Sequence, residues 1–525
     1  MSWPRGTLAR GLEVTQPDST IEADVAVIGG GSAGCAAAYR LAKAPHGPSV
    51  CLVEAGPDYG PWEQGRWPAE LLDPRREPRT HDWGLVEWRE DGRAMPEPRA
   101  RVVGGCSTHN LAAAVWGLPD DADRWARLTG DQRWCHRALL PGRDAIEDAY
   151  DGDRTLRGHG GPVPTYLLGE EQLASWQRAA RDAALAAGFP RLTDLSAPTP
   201  ADGVGLFQAN VQDGDRWNAA LAFLDLVREG GRLQVLGETL ADRLVLDGGR
   251  ATVLDCRGED GAVQVRARQF VLAAGAYGSP AILMRSGVGP AGHLAELGIP
   301  VLVDAPGVGA NLHDHPGVVI GFRPATAALM ALTDDFTRGR FHQSQIAVRA
   351  RDHSLQVVAY QSPTAGGGWT FELRAFAMRP ASRGQVRLAD ADPKVAPRVE
   401  LGFLSDRRGH DRALLEEGER LIRRLAATAP LAELVTGETG RRTPEGTAET
   451  DLARRVTGYG HAVGTCRMGA PRDRHAVAGT TGQVRGVGNV WVADASLMPV
   501  IPAAGTNLTC MLLGWQVAGM VLAAG

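Results

Sequence analysis

Asp24-Val-Ala-Val-Ile-Gly29-Gly-Gly-Ser-Ala-Gly34 is the stretch on which the fold turns. Val25, Val27 and Ile28 read as a short buried strand. It runs into Gly29-x-Gly31-x-x-Gly34, and Cys35-Ala-Ala-Ala-Tyr-Arg-Leu-Ala42 behind it reads as a helix. Strand, glycine turn and helix make a dinucleotide-binding unit. Gly29 permits the tight turn, Gly31 lets backbone approach a pyrophosphate, and Gly34 lets helix and strand pack closely. Ser32 and Ala33 open the helix, whose free N–H groups and dipole favour the phosphate charge. A second strand, Ser49-Val-Cys-Leu-Val53, ends at Glu54, twenty residues after Gly34. A carboxylate there accepts a hydrogen bond from an adenosine ribose hydroxyl, which favours FAD or NAD over NADP.

Working outward, 525 residues imply at least two domains. Hydrophobic residues are 44% and charged residues 22% of the chain, as in a soluble globular protein. A net charge of −5 and a pI near 6.2 argue against nucleic acid or an anionic membrane as partner. Met1-Ser-Trp-Pro-Arg5 lacks the apolar core of a secretory signal. Leu508 to Ala524 is apolar but short for a membrane span and carries Gln516, so a buried closing helix is expected. Seven dispersed cysteines without a CxxC pair suit a reducing compartment, and the expected location is cytoplasmic.

Three distant segments look like further parts of the same cofactor unit. Gln269-Phe-Val-Leu-Ala-Ala274-Gly275 reads as a strand ending in small residues. Asn489-Val-Trp-Val-Ala-Asp494, followed by Ala495, reads as another. Arg101-Val-Val-Gly104-Gly105 is a glycine-rich approach. Ligands bind at the carboxyl ends of such strands, so these ends are expected to converge on the Gly29–Gly34 loop. Alternating runs such as Ser354-Leu-Gln-Val-Val-Ala-Tyr360 and Gly384-Gln-Val-Arg-Leu388 suit an antiparallel sheet with one solvated face. Asp411 to Ala426 reads as a charged amphipathic helix.

Several blocks in order carry a resemblance over the whole chain. They are Gly29 to Gly34 with Glu54-Ala-Gly56, Arg101 to Asn110 with Cys-Ser107-Thr-His109 inside it, and Gly158-His-Gly-Gly-Pro162. Gly275 to Gly289, Pro306 to Pro316, His461 to Gly469 and Asp494 to Pro499 follow, ending at Thr506-Asn507. With these blocks the chain resembles the glucose–methanol–choline (GMC) flavoprotein oxidoreductases. The resemblance implies an α/β plus α+β fold, in which a Rossmann-like FAD-binding domain is interleaved with a substrate-binding domain on an antiparallel sheet. Residues 20–160, 206–318 and 460–525 are assigned to the first, and 161–205 and 319–459 to the second. It implies bound FAD, and oxidation of an alcohol by hydride transfer to the flavin.

By the same likeness His461 is the expected catalytic base, since imidazole titrates near neutrality. Asn507 is its expected partner, hydrogen-bonded to the substrate oxygen at the start of the closing helix. His109 matches the choline oxidase branch, where this His is joined to the flavin 8α-methyl; the alternative is a His beside the ring without a bond. Asn110 is expected near the flavin's reactive edge, Ser107 as a loop hydroxyl, and Asp494 on a ribityl or ribose hydroxyl. His313-Asp314-His315 has no third ligand motif and no metal is expected. Trp67 stands where an aromatic wall would come. Gly460 in place of an aromatic residue before His461 argues against choline, and the Thr506-Asn507-Leu508 ending resembles members acting on aryl or furanic primary alcohols. The expected activity is an alcohol oxidase making aldehyde and hydrogen peroxide. A dehydrogenase passing electrons to a quinone or protein carrier stays open, as does a hydroxynitrile-lyase-like activity. A homodimer is left open.

Overall fold

The computed structural model describes residues 18–524 apart from 152, 154–155, 198–201, 340–341, 365–367 and 440–450. The reading of Met1–Arg5 lies outside the described residues. Strand β1 (Ser19–Ile28) leads through α1 (Ser32–Lys43) to β2 (Val50–Val53). Strands β3 (Leu233–Leu236), β4 (Leu240–Asp247), β5 (Arg250–Arg257) and β6 (Ala262–Leu272) join from far along the chain, and helix α2 (Gly275–Arg285) follows. The order is β3-β2-β1-β6-β5-β4. β3, β2, β1 and β6 are parallel neighbours, and Val490–Val492 lies parallel to the upper end of β6. β5 and β4 extend its lower end as an antiparallel ribbon. Ala26, Val27, Ile28 and Leu52 are buried, because helices cover this sheet.

The closing helix Asn507–Ala524 packs on α1. It is long and apolar enough to cross a membrane by length and composition alone, yet half of it is buried in the protein. A Cβ on Gly514 would collide with the carbonyl of Ala33, so the two helices meet backbone to backbone. Arg40 then donates to Trp515 O and lies over its ring.

The second large sheet contains β7 (Pro316–Pro324), β8 (Ile346–Ala350), β9 (Leu355–Pro363) and β10 (Trp369–Ala377) in the order β7-β10-β9-β8. Val435–Thr439 and Gly203–Leu206 form its edges. All these pairs are antiparallel. The expectation of a solvated face is overturned: every residue of β8 and the first seven of β9 are buried. Helices Ser175–Ala186 and α3 (His410–Ala426) cover one face. Ala347, Val358 and Phe376 turn the other towards Val115, Ala503 and Ala504. The Gly384–Leu388 run does not join this sheet. Its strand Gln385–Arg387 pairs with Arg398–Glu400 in a four-stranded sheet completed by Val86–Trp88 and Ala94–Pro96.

Candidate active site

The strand ends converge as the spacing predicts. Gly29 turns at φ +104°, where a Cβ would stand 2.5 Å from Ala273 O; one on Gly34 would collide with Gly29 O. Gly104 N donates to Gly30 O at 2.7 Å, and a Cβ on Gly105 would meet Gly31 Cα at 2.6 Å. Three chain segments thus meet backbone to backbone. Between them opens a cavity of about 310 Å³, lined by Gly29, Gly31, Ser32, Ala33, Glu54, Gly105, Ala274, Gly275, Asp494 and Ala495 among others. Trp83 and the segment Pro393–Pro397 line it too. Trp67 is not an aromatic wall: its ring is buried against Tyr59 and donates to Gly60 O.

Glu54 Oε2 accepts from Gly30 N at 2.8 Å and Oε1 from Gly56 N at 3.0 Å. Burial nevertheless raises its carboxyl to about 7, against those N–H bonds. Asp494 lines the cavity with its carboxylate already hydrogen-bonded within the protein. Its Oδ1 takes Ser496 N and Oγ, and Oδ2 takes Gly275 N and Ser279 Oγ. Four donors fill the carboxylate, which ties the 495–497 turn to α2.

Ser107 Oγ donates to Gly104 O and accepts from Ala219 N, a loop hydroxyl as expected. Asn110 Oδ1 is spent on its own turn, accepting from Ala112 N. The buried Arg216, which carries no motif in the sequence, donates to Thr108 O and Asn110 O and so clamps the peptides around His109. His109 Nε2 is buried without a hydrogen-bond partner. Burial, then Arg216, lowers the ring to about 4, so it is neutral. An orphaned ring nitrogen on the residue three after the cavity-lining Cys106, a buried carboxylate beside Gly30 and a side-chain-free cradle all fit a dinucleotide.

Around His461 the chain is over-determined. Gly460 and Gly464 adopt φ of +88° and +94°. Asp314, wholly buried, accepts from the backbone N–H groups of His315, Gly460 and His461 at 2.6, 2.9 and 2.9 Å. Burial, then Glu97, raises it to about 7. His315 Nδ1 lies 3.0 Å from His461 Nδ1, with the rings perpendicular. Tyr459 lies beside the His461 ring and stacks on Phe376. Burial, then His315 and Arg99, holds His461 well below the usual imidazole range. Asp314, His315 and His461 stand close enough together for a metal ion; Asp314 already accepts three backbone N–H bonds, and His315 lies between Pro502 O and the His461 ring.

Asn507 Oδ1 accepts from Ser32 Oγ at 2.6 Å, and among the described residues no hydrogen bond joins Asn507 to His461. A side chain at the first position of the closing helix points at the start of α1, which that helix packs against. The sequence motif could not show this.

Residues 23–317 and 380–514 match the two parts of the GMC oxidoreductase family. The chain is 33% identical to choline oxidase of Arthrobacter globiformis, covering 96% of this chain and 95% of that one. It is 34% identical to 5-(hydroxymethyl)furfural oxidase of Methylovorus sp., covering 95% and 98%. The structure of pyridoxine 4-oxidase from Mesorbium loti superposes with a TM-score of 0.82 at 30% identity, covering 94% and 98%. The chain therefore belongs to the GMC oxidoreductases and is an FAD-dependent alcohol oxidoreductase.

Proposed function

We propose that the protein oxidises a neutral primary alcohol to its aldehyde, with His461 as base, and passes the electrons to oxygen to give hydrogen peroxide. The observation that carries this is the neutral, half-buried His461 ring, flanked in sequence by the cavity residues Gly460 and Ala462. Bound FAD supplies the hydride acceptor. Gly29–Gly34 and Ser32 would hold its pyrophosphate, Glu54 its ribose, and His109 its flavin, by a covalent bond from the orphaned ring nitrogen. His461 takes the hydroxyl proton while the carbinol hydrogen leaves as hydride. Asp314 fixes the His461 backbone, so the ring meets the substrate in one position. A cytoplasmic setting is supported by seven unpaired cysteines.

A neutral substrate is favoured over choline by the charges that face Tyr459. Arg374 and Arg349 both act on its hydroxyl, and Arg374 lies 3.5 Å over the Tyr360 ring. Arg374 is paired with Glu372, and the buried Arg349 forms no direct ion pair among the described residues, with only Asp121 and Asp194 acting on its charge from further off. A quaternary ammonium would enter against that positive charge.

The test is an anaerobic titration of the holoenzyme with aryl, furanic, aliphatic and choline alcohols, followed by air. Bleaching of the flavin band by a neutral primary alcohol and fast recovery in air are expected. Bleaching by choline alone, slow recovery, or no bleaching by any alcohol would each overturn part of the assignment.

A further inference from the structure

We propose that His315 is the positioning residue that sets the tautomer of His461, placing its proton on Nδ1 and leaving the Nε2 electron pair for the substrate hydroxyl. This rests on His461 being the base.

The inference follows from counting protons along one chain of contacts. Residues 313 and 315 lie two apart on an extended segment, so they share a side, while Asp314 takes the other. His315 Nε2 lies 3.0 Å from Pro502 O. A carbonyl can only accept, so that nitrogen carries the proton. A buried neutral imidazole has one N–H, so His315 Nδ1 is bare. It faces His461 Nδ1 at 3.0 Å, and two bare nitrogens do not attract, so His461 must be the donor. His461 is neutral as well, and its remaining nitrogen, Nε2, is then an open acceptor.

The anchor of this relay is rigid. The peptides around Pro502 are pinned by Ile501 N donating to His313 Nε2 and by Ala503 N donating to Asp121 Oδ2, both at 3.0 Å. His313 is fixed in turn by Nδ1 on Asn311 O at 2.7 Å. Pro502 O, held from both sides and joined by the Met378 carbonyl as a second acceptor near the His315 ring, thus dictates the proton position two rings away. His315 thus acts on the side of the His461 ring away from the substrate, a role distinct from the substrate contact expected of Asn507.

The test is nitrogen-15 NMR of the holoenzyme with labelled histidine, the His461→Gln variant identifying the His461 signals. Wild type should show Nδ1–H and a bare Nε2. His315→Phe keeps a ring but no nitrogen, and should move the proton to Nε2. Anaerobic flavin reduction should then slow by roughly 10²-fold or more, the usual scale of a lost general base. His315→Gln offers an acceptor and a donor about as far apart as the two ring nitrogens, and should restore most of both the tautomer and the rate. A proton on Nε2 in wild type, or an unchanged tautomer in His315→Phe, would overturn the proposal. If His315→Phe does not fold, the wild-type spectrum and His315→Gln still decide. Should His461→Gln reduce its flavin at the wild-type rate, His461 is not the base and the parent reading fails, whatever the tautomer.

Discussion

At the scale of single residues, the cofactor turn was legible because its chemistry is local. Gly29 and Gly34 are needed where a Cβ would strike backbone, and spacing alone reveals that. Asn507 and Asp494 were harder, because a short polar side chain bonds whatever the fold brings near it. His315 left one signal, an alternate histidine that shares a side with His313, and only the contacts give it a role. His109 and Glu54 can be tested together. His109→Ala should release FAD on acid precipitation, whereas wild type should keep it in the pellet; flavin in the wild-type supernatant would dismiss the bond. In that variant FAD exchanges and its affinity can be titrated. Ribose hydroxyls donate to ionised Glu54, whose carboxyl is raised to about 7. Affinity should therefore be full above pH 7 and fall as pH drops through it. Glu54→Gln should bind roughly ten- to a hundred-fold more weakly above pH 7, the scale of a charged hydrogen bond, with a flat pH profile. A flat profile in the parent would remove Glu54 from the site.

At the scale of elements, type was easier to read than surroundings. Ser354 to Tyr360 reads as strand from its alternation, but its second face is buried beneath a roof that only the folded chain supplies. The run Gly384 to Leu388 reads as strand too, yet its strand pairs with 398–400, which in turn pairs with the distant 86–88, and no pattern within the segment names either. The closing helix was read correctly as a packed element. Its contact with α1 depends on Gly514, where any side chain meets Ala33 O. Gly514→Val should force the helices apart at the start of the cofactor loop. A loss of about 1–3 kcal/mol is expected from overpacking of this kind, with weaker retention of FAD in the His109→Ala background. Calorimetry that finds wild-type stability would show that the helices can slide instead.

At the scale of the whole molecule, the cofactor cavity draws on residues 28–106, 239–285, 393–397 and 460–510. Pro393–Pro397 lies in the connection between two strands of the small four-stranded sheet, not in the cofactor sheet, so FAD would rest against more than one layer of the protein. Adding FAD to stripped His109→Ala protein should raise the melting temperature of the entire chain as one transition. At a hundredfold excess over Kd the gain is about 2.7 kcal/mol. A second transition that ignores FAD would show that the halves melt independently.

The cofactor sheet is assembled from pieces separated by most of the chain: β1 ends at Ile28, and Val490–Val492 completes the upper end of β6. On a ribosome adding 5–20 residues each second, β1 waits roughly 25–90 s for that last neighbour. The closing helix that covers α1 emerges later still. During synthesis the glycine loop and the apolar face of α1 are therefore without their final cover, within reach of chaperones. Stable loading of FAD becomes an event after translation, and expression yield should respond to how fast the chain is made and how much riboflavin the cell holds.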